Sequence, residues 1–198
     1  MTKVTCDMAM SVDGFVAGPN QRLAEPFGDG VRGRLTRWML EEPEANAAAI
    51  AAIDAAGAYV MGRNMFGPGR GAWDEQWKGW WGEEPPYHAP VFVLTRHPRE
   101  PLAMQGGTTF TFVTDGIESA LAQARKAAGD ADVAIAGGAG TVNQYLAAGL
   151  IDELRLHVAP VVLGAGERLF EGVADVDLER LDVSGTDLVT HLSYRVLR

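Results

Sequence analysis

The sequence predicts an α/β protein built on one mixed β-sheet, mostly parallel, with antiparallel strands at its C-terminal end. Up to residue 149, short apolar strands alternate with segments of helical pattern, the order typical of parallel strands joined by helices. From residue 153 onward, strand-like segments follow one another without a helix between them, as in antiparallel sheets. The 198 residues contain no internal repeat, linker or low-complexity tract, so a single domain is expected over 1–198.

The first third of the chain predicts one strand and two helical pieces. Lys3–Met10 is predicted as a strand that runs into the turn Ser11-Val12-Asp13-Gly14. Residues 18–34 are polar and glycine-rich and predict a loop, followed by a helical piece around Leu35–Leu40. An alanine-rich helix is predicted over 44–56, because a proline precedes it and a glycine follows it.

The middle of the chain predicts buried strands on either side of a long irregular segment. Ala58–Met61 and Val91–Thr95 are short and apolar, as expected of strands covered on both faces, and Thr108–Val113 is predicted as a strand from its alternation. Residues 67–90, hereafter the tryptophan segment, hold four of the five tryptophans and several glycines and prolines. We expect an ordered, functional loop, in which the tryptophans form either a pocket wall or a dimer interface.

The remaining strands and helices are predicted from capping and turn residues. Asp115–Glu118 resembles a capping box that opens a helix, which ends before Gly129. Asp132–Ala136 is predicted as a strand that leads through glycines into a short helix before Gly149. Three strands are then predicted: Glu153–Leu163, Leu178–Val183 and Leu188–Leu197.

Composition excludes several classes of function. The formal charge of −9, from 17 Lys and Arg against 26 Asp and Glu, argues against nucleic-acid or anionic-membrane binding, because phosphate affinity needs a surplus of basic residues. The single Cys6 cannot form an internal disulfide. No stretch has the length and hydrophobicity of a signal peptide or a membrane span, so we expect a cytoplasmic protein. The four histidines are scattered and no metal-binding motif occurs, so no metal site is predicted.

Three strand ends carry groups that suit an anionic ligand, at the edge of the sheet where α/β proteins bind ligands. Gly137-Gly138-Ala139-Gly140-Thr141 links a strand to a helix, so backbone N–H groups and the helix N-terminus can approach a pyrophosphate. Met61-Gly62-Arg63 and Leu94-Thr95-Arg96 each place a guanidinium just past a buried strand, where it could bind a phosphate in bidentate fashion. A tight turn and two solvated surface arginines would give the same pattern, and these alternatives stay open.

Five segments spread along the whole chain carry a family resemblance. They are Ser11-Val12-Asp13-Gly14, Met61-Gly62-Arg63, Leu94-Thr95-Arg96, Gly137-Gly138-Ala139-Gly140, and Leu150–Leu154 leading to Pro160–Phe170. In this order they resemble the dihydrofolate-reductase-like superfamily, in the branch similar to the C-terminal reductase domain of the bifunctional riboflavin-biosynthesis deaminase/reductase. The resemblance implies a three-layer α/β/α sandwich, NADPH as the cofactor and hydride donor, and a homodimer.

The resemblance also implies roles for individual residues. On the cofactor side, Arg63, Thr95 and Arg96 would hold the adenosine 2′-phosphate, and Gly137, Gly138, Gly140 and Thr141 the pyrophosphate. Gly62 would be a further place where the backbone meets the dinucleotide. Asp13 would be the catalytic residue, next to the nicotinamide and the substrate, although an Asp at this place in a turn can equally hydrogen-bond backbone groups. On the substrate side, we expect Trp73, Trp77, Gly166 and Glu167.

The implied activity is the NADPH-dependent reduction of a small heterocyclic or ribosylamino-pyrimidine-like substrate, similar to 5-amino-6-(5-phosphoribosylamino)uracil reductase of riboflavin biosynthesis. The small-molecule substrate would be reduced at an imine or an open-chain carbonyl. Three alternatives stay open: an NADP(H)-binding sensor without turnover, an interaction module that uses the tryptophan segment, and a dihydrofolate or pterin reductase. The predicted first helix has no carboxylate before Glu41, which argues against dihydrofolate itself.

Overall fold

The computed structural model describes residues 2–197. The strands are β1 (Val4–Ser11), β2 (Phe15–Ala17), β3 (Ala58–Gly62), β4 (Pro90–Leu94), β5 (Leu102–Ala103), β6 (Thr109–Val113), β7 (Val133–Gly137), β8 (Glu153–Ala159), β9 (Glu167–Arg168), β10 (Leu178–Thr186) and β11 (Val189–Val196). The helices are α1 (Arg37–Glu41), α2 (Ala47–Ile53), α3 (Arg63–Phe66), α4 (Ile117–Ala128) and α5 (Ala139–Ala147), with a short 3-10 turn at Gln105–Gly107.

Within these residues, nine strands form one mixed sheet in the order β10-β11-β8-β1-β7-β3-β4-β6-β5. The strands from β8 to β6 are parallel to one another, whereas β10, β11 and β5 pair in antiparallel fashion. The remaining strands, β2 and β9, form a small separate pair. The predicted mixed sheet, parallel in its centre and antiparallel at its C-terminal edge, is therefore confirmed.

One face of the sheet is covered by the two longest helices. Alternate residues of the strands, such as Cys6, Val60 and Ile135, point to this face and are fully buried. They pack against Leu121 and Ala124 of α4 and against apolar residues of α5. This large apolar contact holds β1, β3 and β7 in the centre of the molecule, and it fixes the positions of their C-terminal ends.

The opposite face is covered by α1 and by the tryptophan segment. Tyr59, Met61 and Val93 point to this face and pack against Phe66 and the tryptophans. Trp38 of α1 is fully buried and packs against two histidine rings of the sheet. Layers on both faces of a mixed sheet agree with the α/β/α arrangement that the resemblance implied.

Several boundaries differ from the sequence-based expectation. Strand β8 ends at Ala159 rather than at 163, because Pro160 has no N–H to continue the ladder. Helix α2 begins at Ala47 rather than at 44, since the buried side chain of Asn46 bonds to the carbonyl of Glu42 and holds the preceding residues in turns. The expected capping box is wrong: Gly116 is the N-cap of α4, and no side chain caps the helix.

The short elements β2, β5, β9 and α3 were not predicted, because two to four residues carry no detectable periodicity. Among residues 2–197, none of the helices combines the length and the apolar character needed to cross a bilayer.

Candidate active site

A cavity of about 1180 Å³ lies at the C-terminal ends of the central parallel strands and extends under α1 and the tryptophan segment. Its wall at the strand ends includes the three segments that the sequence singled out for an anionic ligand. They are Gly62 and Arg63 after β3, Thr95 and Arg96 after β4, and Gly137 to Thr141 after β7. The parallel pairing of β7, β3 and β4 brings these segments together, although up to 79 residues separate them in the chain.

The glycine-rich turn presents bare backbone to the cavity. A Cβ added at Gly138 or at Gly140 would meet no heavy atom within 4 Å, so the space beside this backbone is open. Helix α5 starts at Ala139, and the first hydrogen bonds of its opening turn run from the N–H groups of Thr141 and Val142 to the carbonyl of Gly138. The preceding N–H groups, of Ala139 and Gly140, therefore have no acceptor within the helix. Gly137 has φ +107°, a value that side-chain-bearing residues rarely adopt. The turn therefore offers N–H donors and a helix dipole to a ligand in the cavity.

Gly62 and Thr141 belong to the same wall for a packing reason. A Cβ at Gly62 would overlap the hydroxyl oxygen of Thr141, so only glycine lets the end of β3 approach α5 this closely. A side chain at position 62 would have to displace the hydroxyl of Thr141.

The guanidinium of Arg63 lies between the cavity and the tryptophan segment. Its Nε donates to the carbonyl of Gly69 at 3.1 Å and its Nη2 to that of Ala72 at 3.3 Å, and it stacks on the ring of Trp73 at 3.8 Å. Its Nη1 is buried and has no hydrogen-bond partner in the described part of the chain. Burial lowers the pKa of Arg63, and the positive charges of Arg70 and Arg99 lower it further.

Arginine side chains make one end of the cavity basic, although the protein as a whole is acidic. Arg63, Arg70 and Arg96 all line it. Thr95 shapes the adjoining turn, since its hydroxyl accepts from the N–H of His97 and donates to the carbonyl of the same residue. Clustered guanidinium groups, one with an unpaired buried N–H, are suited to bind a phosphate.

The four tryptophans divide into two pairs. Trp73 and Trp77 pack into the protein: their indole N–H groups donate to the carbonyls of His97 and Phe66, and neither residue lines the cavity. Trp80 and Trp81 do line it, as does Trp38. The aromatic wall is therefore formed by tryptophans other than the two expected on the substrate side.

Asp13 lies outside the cavity lining and holds two loops together. Its carboxylate accepts hydrogen bonds from the N–H groups of Leu163, at 3.1 Å, and Gly164, at 2.7 Å. The hydroxyl of Ser11 and these N–H groups lower the pKa of Asp13 to about 2. This is the arrangement of a turn anchor. The catalytic role expected for Asp13 stays a prediction, and no contact with the cavity supports it.

Gly166 and Glu167 lie in the strand pair that closes the other side of the site. Gly166 has φ +137°, and a Cβ there would overlap the carbonyl oxygen of Ala17. Glu167, in β9, is exposed and lines the rim of the cavity. The substrate-side role of both residues stays a prediction. The position of Glu167 in the cavity lining is consistent with that role, whereas Gly166 does not line the cavity.

Sequence reasoning missed two ionisable residues in the floor of the cavity, Asp7 of β1 and His157 of β8. Their side chains are only 8% and 4% exposed. Asp7 Oδ1 lies 3.4 Å from His157 Nε2 and 3.3 Å from Nε of Arg155. The available signal was a charged residue within the apolar pattern of β1, at a position that faces the sheet surface under α1.

His157 is also connected away from the cavity. Its Nδ1 lies 2.7 Å from Nδ1 of His191, whose Nε2 lies 2.8 Å from Oδ1 of Asn46. Trp38 packs on both histidine rings, with centroids at 5.0 and 4.9 Å. Trp38 thus covers the two histidine rings, while Asp7 and His157 also line the cavity.

Among the described residues, no group of three or more His, Cys, Asp or Glu side chains converges. The chemistry of the cavity is that of arginine, backbone N–H, carboxylate and imidazole groups.

The chain is similar to known proteins in sequence and in fold. The family model described as the RibD C-terminal domain matches residues 2–190. No curated protein sequence matches the chain. A putative riboflavin biosynthesis protein from Shewanella sp. PV-4 is similar over 100% of both chains, with a TM-score of 0.68 and 22% identity.

Two further solved structures share the fold. The riboflavin biosynthesis reductase of Saccharomyces cerevisiae is similar over 100% of this chain and 89% of its own, with a TM-score of 0.56 and 14% identity. A dihydrofolate reductase from Enterococcus faecalis, complexed with NADP(H) and RAB-propyl, is similar over 98% and 96%, with a TM-score of 0.57 and 15% identity. The dihydrofolate-reductase-like fold and the resemblance to riboflavin-pathway reductase domains are confirmed.

Proposed function

Because this chain belongs to the RibD C-terminal domain family, we propose that it is an NADPH-dependent reductase of a small heterocyclic substrate of the ribosylamino-pyrimidine kind. The observation that carries the proposal is the basic, glycine-rich end of the cavity. There, an unpaired guanidinium N–H of Arg63 lies in the same wall as Ala139 and Gly140, whose N–H groups precede the first hydrogen bonds of α5.

The residues of this wall fit a dinucleotide. Gly137, Gly138 and Gly140 leave room for the pyrophosphate beside the start of α5, where the helix dipole favours an anion. Arg63 and Arg96, with Arg70 beside them, would hold the 2′-phosphate that distinguishes NADPH from NADH. NADPH, when bound, supplies a hydride.

The rest of the cavity fits a flat substrate. Trp80, Trp81 and Tyr87, which are partly exposed, line it and give aromatic surface on which a heterocycle can stack, with the buried rings of Trp38 and Tyr59 behind them. Asp7 and His157 are the ionisable groups in its floor, and they can bind polar edges of a heterocycle. The substrate class therefore rests on an aromatic wall over a polar floor, together with the family.

Cofactor binding provides the first test. We expect NADP⁺ to raise the melting temperature by several degrees, since a ligand at about 100 times its Kd adds about 2.7 kcal/mol to the free energy of unfolding. NAD⁺ at the same concentration should raise it much less. If neither nucleotide changes the melting temperature, the reductase proposal fails and an interaction module becomes the better explanation.

Turnover separates a reductase from a sensor. With 5-amino-6-(5-phosphoribosylamino)uracil as the probe, we expect oxidation of NADPH, followed as loss of absorbance of the reduced nicotinamide. Tight binding of NADPH without oxidation by this probe or by dihydrofolate would instead support a sensor.

A further inference from the structure

The polar chain Asp7–His157–His191–Asn46 crosses the sheet surface under Trp38, and only its first two members line the cavity. Such a chain is costly to bury unless its hydrogen bonds are satisfied. Two of its atoms, Asp7 Oδ1 and His157 Nε2, nevertheless lack a hydrogen bond of good geometry within the described residues, and they face each other at 3.4 Å.

The positions of the protons can be derived from the far end of the chain. The amide nitrogen of Asn46 donates to the carbonyl of Glu42 at 2.8 Å, so its Oδ1 is the atom that faces His191. Nε2 of His191 must therefore carry a hydrogen. Burial and the neighbouring His157 lower the pKa of His191, which keeps this ring neutral and leaves its Nδ1 as an acceptor. Nδ1 of His157 must then be the donor across the 2.7 Å contact.

This assignment leaves one proton to be placed between Asp7 and His157. If His157 were neutral, its bare Nε2 would face an ionised carboxylate, and two acceptors would be in contact in a buried site. A proton on Nε2 or on the carboxyl group removes the conflict. Arg155, 3.3 Å from Asp7 on the other side, favours the ionised carboxylate and so places the proton on His157 Nε2.

We propose that Asp7 and His157 hold one shared proton in the floor of the cavity and give it to the substrate during reduction. This rests on the proposed function, in which a reduced nicotinamide is the hydride donor. Addition of hydride to the carbon of a C=N or C=O bond leaves an electron pair on the nitrogen or oxygen. That atom takes the proton from the pair, which regains one from water after the product leaves.

The other titratable groups around the pair do not compete for this role. Burial raises the pKa of Tyr59, whose hydroxyl donates to the carbonyl of Ile53, so the phenol stays protonated. Cys6 points to the opposite face of the sheet, and burial raises the pKa of its thiol. His191 stays neutral, because burial and the neighbouring His157 lower its pKa. Glu42 at the end of α1 and Asp54 after α2 do not line the cavity.

The first experiment reads the proton directly and needs neither cofactor nor substrate. In ¹⁵N-labelled full-length protein at pH 7, we expect both ring nitrogens of His157 to carry hydrogens and His191 to show one protonated and one bare nitrogen. In Asp7→Asn, His157 should become neutral. A wild-type His157 with a bare Nε2, beside an ionised Asp7, would overturn the proposal.

The second experiment measures the transfer itself. Asp7→Asn should lower kcat for the uracil probe by about 100-fold or more, the size typical of a lost general acid, and should shift the pH profile of kcat. Its Kd for NADPH should not change. Asp130→Asn, at an exposed turn position, provides the matched control, with wild-type kcat expected.

These results separate the two proposals. A wild-type protein that binds NADPH and reduces the probe, with Asp7→Asn equal to Asp130→Asn in kcat, would overturn the proton-donor role alone. A wild-type protein that does not bind NADPH would overturn the proposed function, and the state of His157 in the free protein would still decide whether the pair shares a proton. His157→Gln provides a second variant if Asp7→Asn does not fold.

Discussion

At the scale of single residues, Arg63 combines a structural and a binding role. Two of its nitrogens hold the backbone of the tryptophan segment and its flat face covers Trp73, whereas Nη1 is left unpaired and buried. An unpaired buried guanidinium N–H costs free energy unless a ligand accepts its hydrogen bond. The local arrangement therefore favours an anion beside Arg63, which the sequence alone could not distinguish from a solvated surface arginine.

We predict that Arg63→Ala weakens NADPH more than NADH, by about 1.5–3 kcal/mol, the value of a hydrogen bond to a charged group. Truncation also removes the contacts with Gly69 and Ala72. Any resulting loop disturbance affects both cofactors, so the difference between them isolates the 2′-phosphate. Isothermal titration of the variant with each nucleotide measures it.

The matched control is Arg125→Ala, an exposed arginine of α4. It should leave both affinities unchanged. Equal losses for NADPH and NADH in Arg63→Ala would remove Arg63 from the 2′-phosphate site and leave it as a support for the tryptophan segment.

At the scale of elements, Asp13 shows how the turn after β1 is fastened to the loop after β8. Its carboxylate joins residues 150 and 151 positions away in the chain, and Val12 adds a backbone bond to Val161. The ends of β1 and β8 are thereby held together beside the cavity, next to Met8 and Ala9 of its lining. Asp13 thus contributes to the site through the position of the strand ends.

We predict that Asp13→Asn lowers the melting temperature at pH 7, because an amide is a weaker acceptor for the two backbone N–H groups and no longer carries a charge. The folded-state pKa of about 2 lies below the ordinary value of 3.8. The contribution of the ionised Asp13 carboxylate to the free energy of unfolding is therefore complete above about pH 4, and it is lost as the pH falls towards 2.

Melting curves of wild type and variant from pH 7 to pH 2 test this prediction. The difference in melting temperature should shrink only at the acid end. A constant difference would show that the charge of Asp13 contributes nothing. A loss of kcat without any loss of stability would restore the catalytic role expected from the sequence.

The elements themselves were largely predictable, whereas the site was predictable only in part. The alternation in β1 and the apolar runs of β3 and β4 are local patterns, and so are the glycines that precede α5. The Asp7–His157 contact depends on the register of β1 against β8, in which Ala9 is opposite His157, and a sequence pattern does not give the register of distant strands. The division of the tryptophans into packed and cavity-lining pairs could not be foreseen either, because it depends on the tertiary contacts of an irregular segment.

At the scale of the whole molecule, β10 is an edge strand that the described chain leaves uncovered. All of its residues except Thr186 are exposed, among them Leu178, Leu181 and Val183. An uncovered edge strand with apolar side chains is prone to pair with another chain. The homodimer implied by the resemblance is therefore a proposal with a defined surface, the exposed β10 edge at the antiparallel end of the sheet.

We predict a homodimer in solution that the double variant Leu181→Lys and Val183→Lys converts to a monomer, because two buried lysines at a shared interface would be desolvated beside their symmetry mates. Light scattering after size exclusion, over a range of concentrations, gives the masses.

Leu23→Lys is the control for this prediction. Leu23 is an apolar residue that is 67% exposed in the loop before α1, and its substitution should leave the dimer intact. Since the cavity is formed within one chain and no residue of β10 lines it, the monomeric variant should still bind NADP⁺. A wild-type protein that is monomeric at every concentration would contradict the dimer, and a dimer that survives the double variant would place its interface elsewhere.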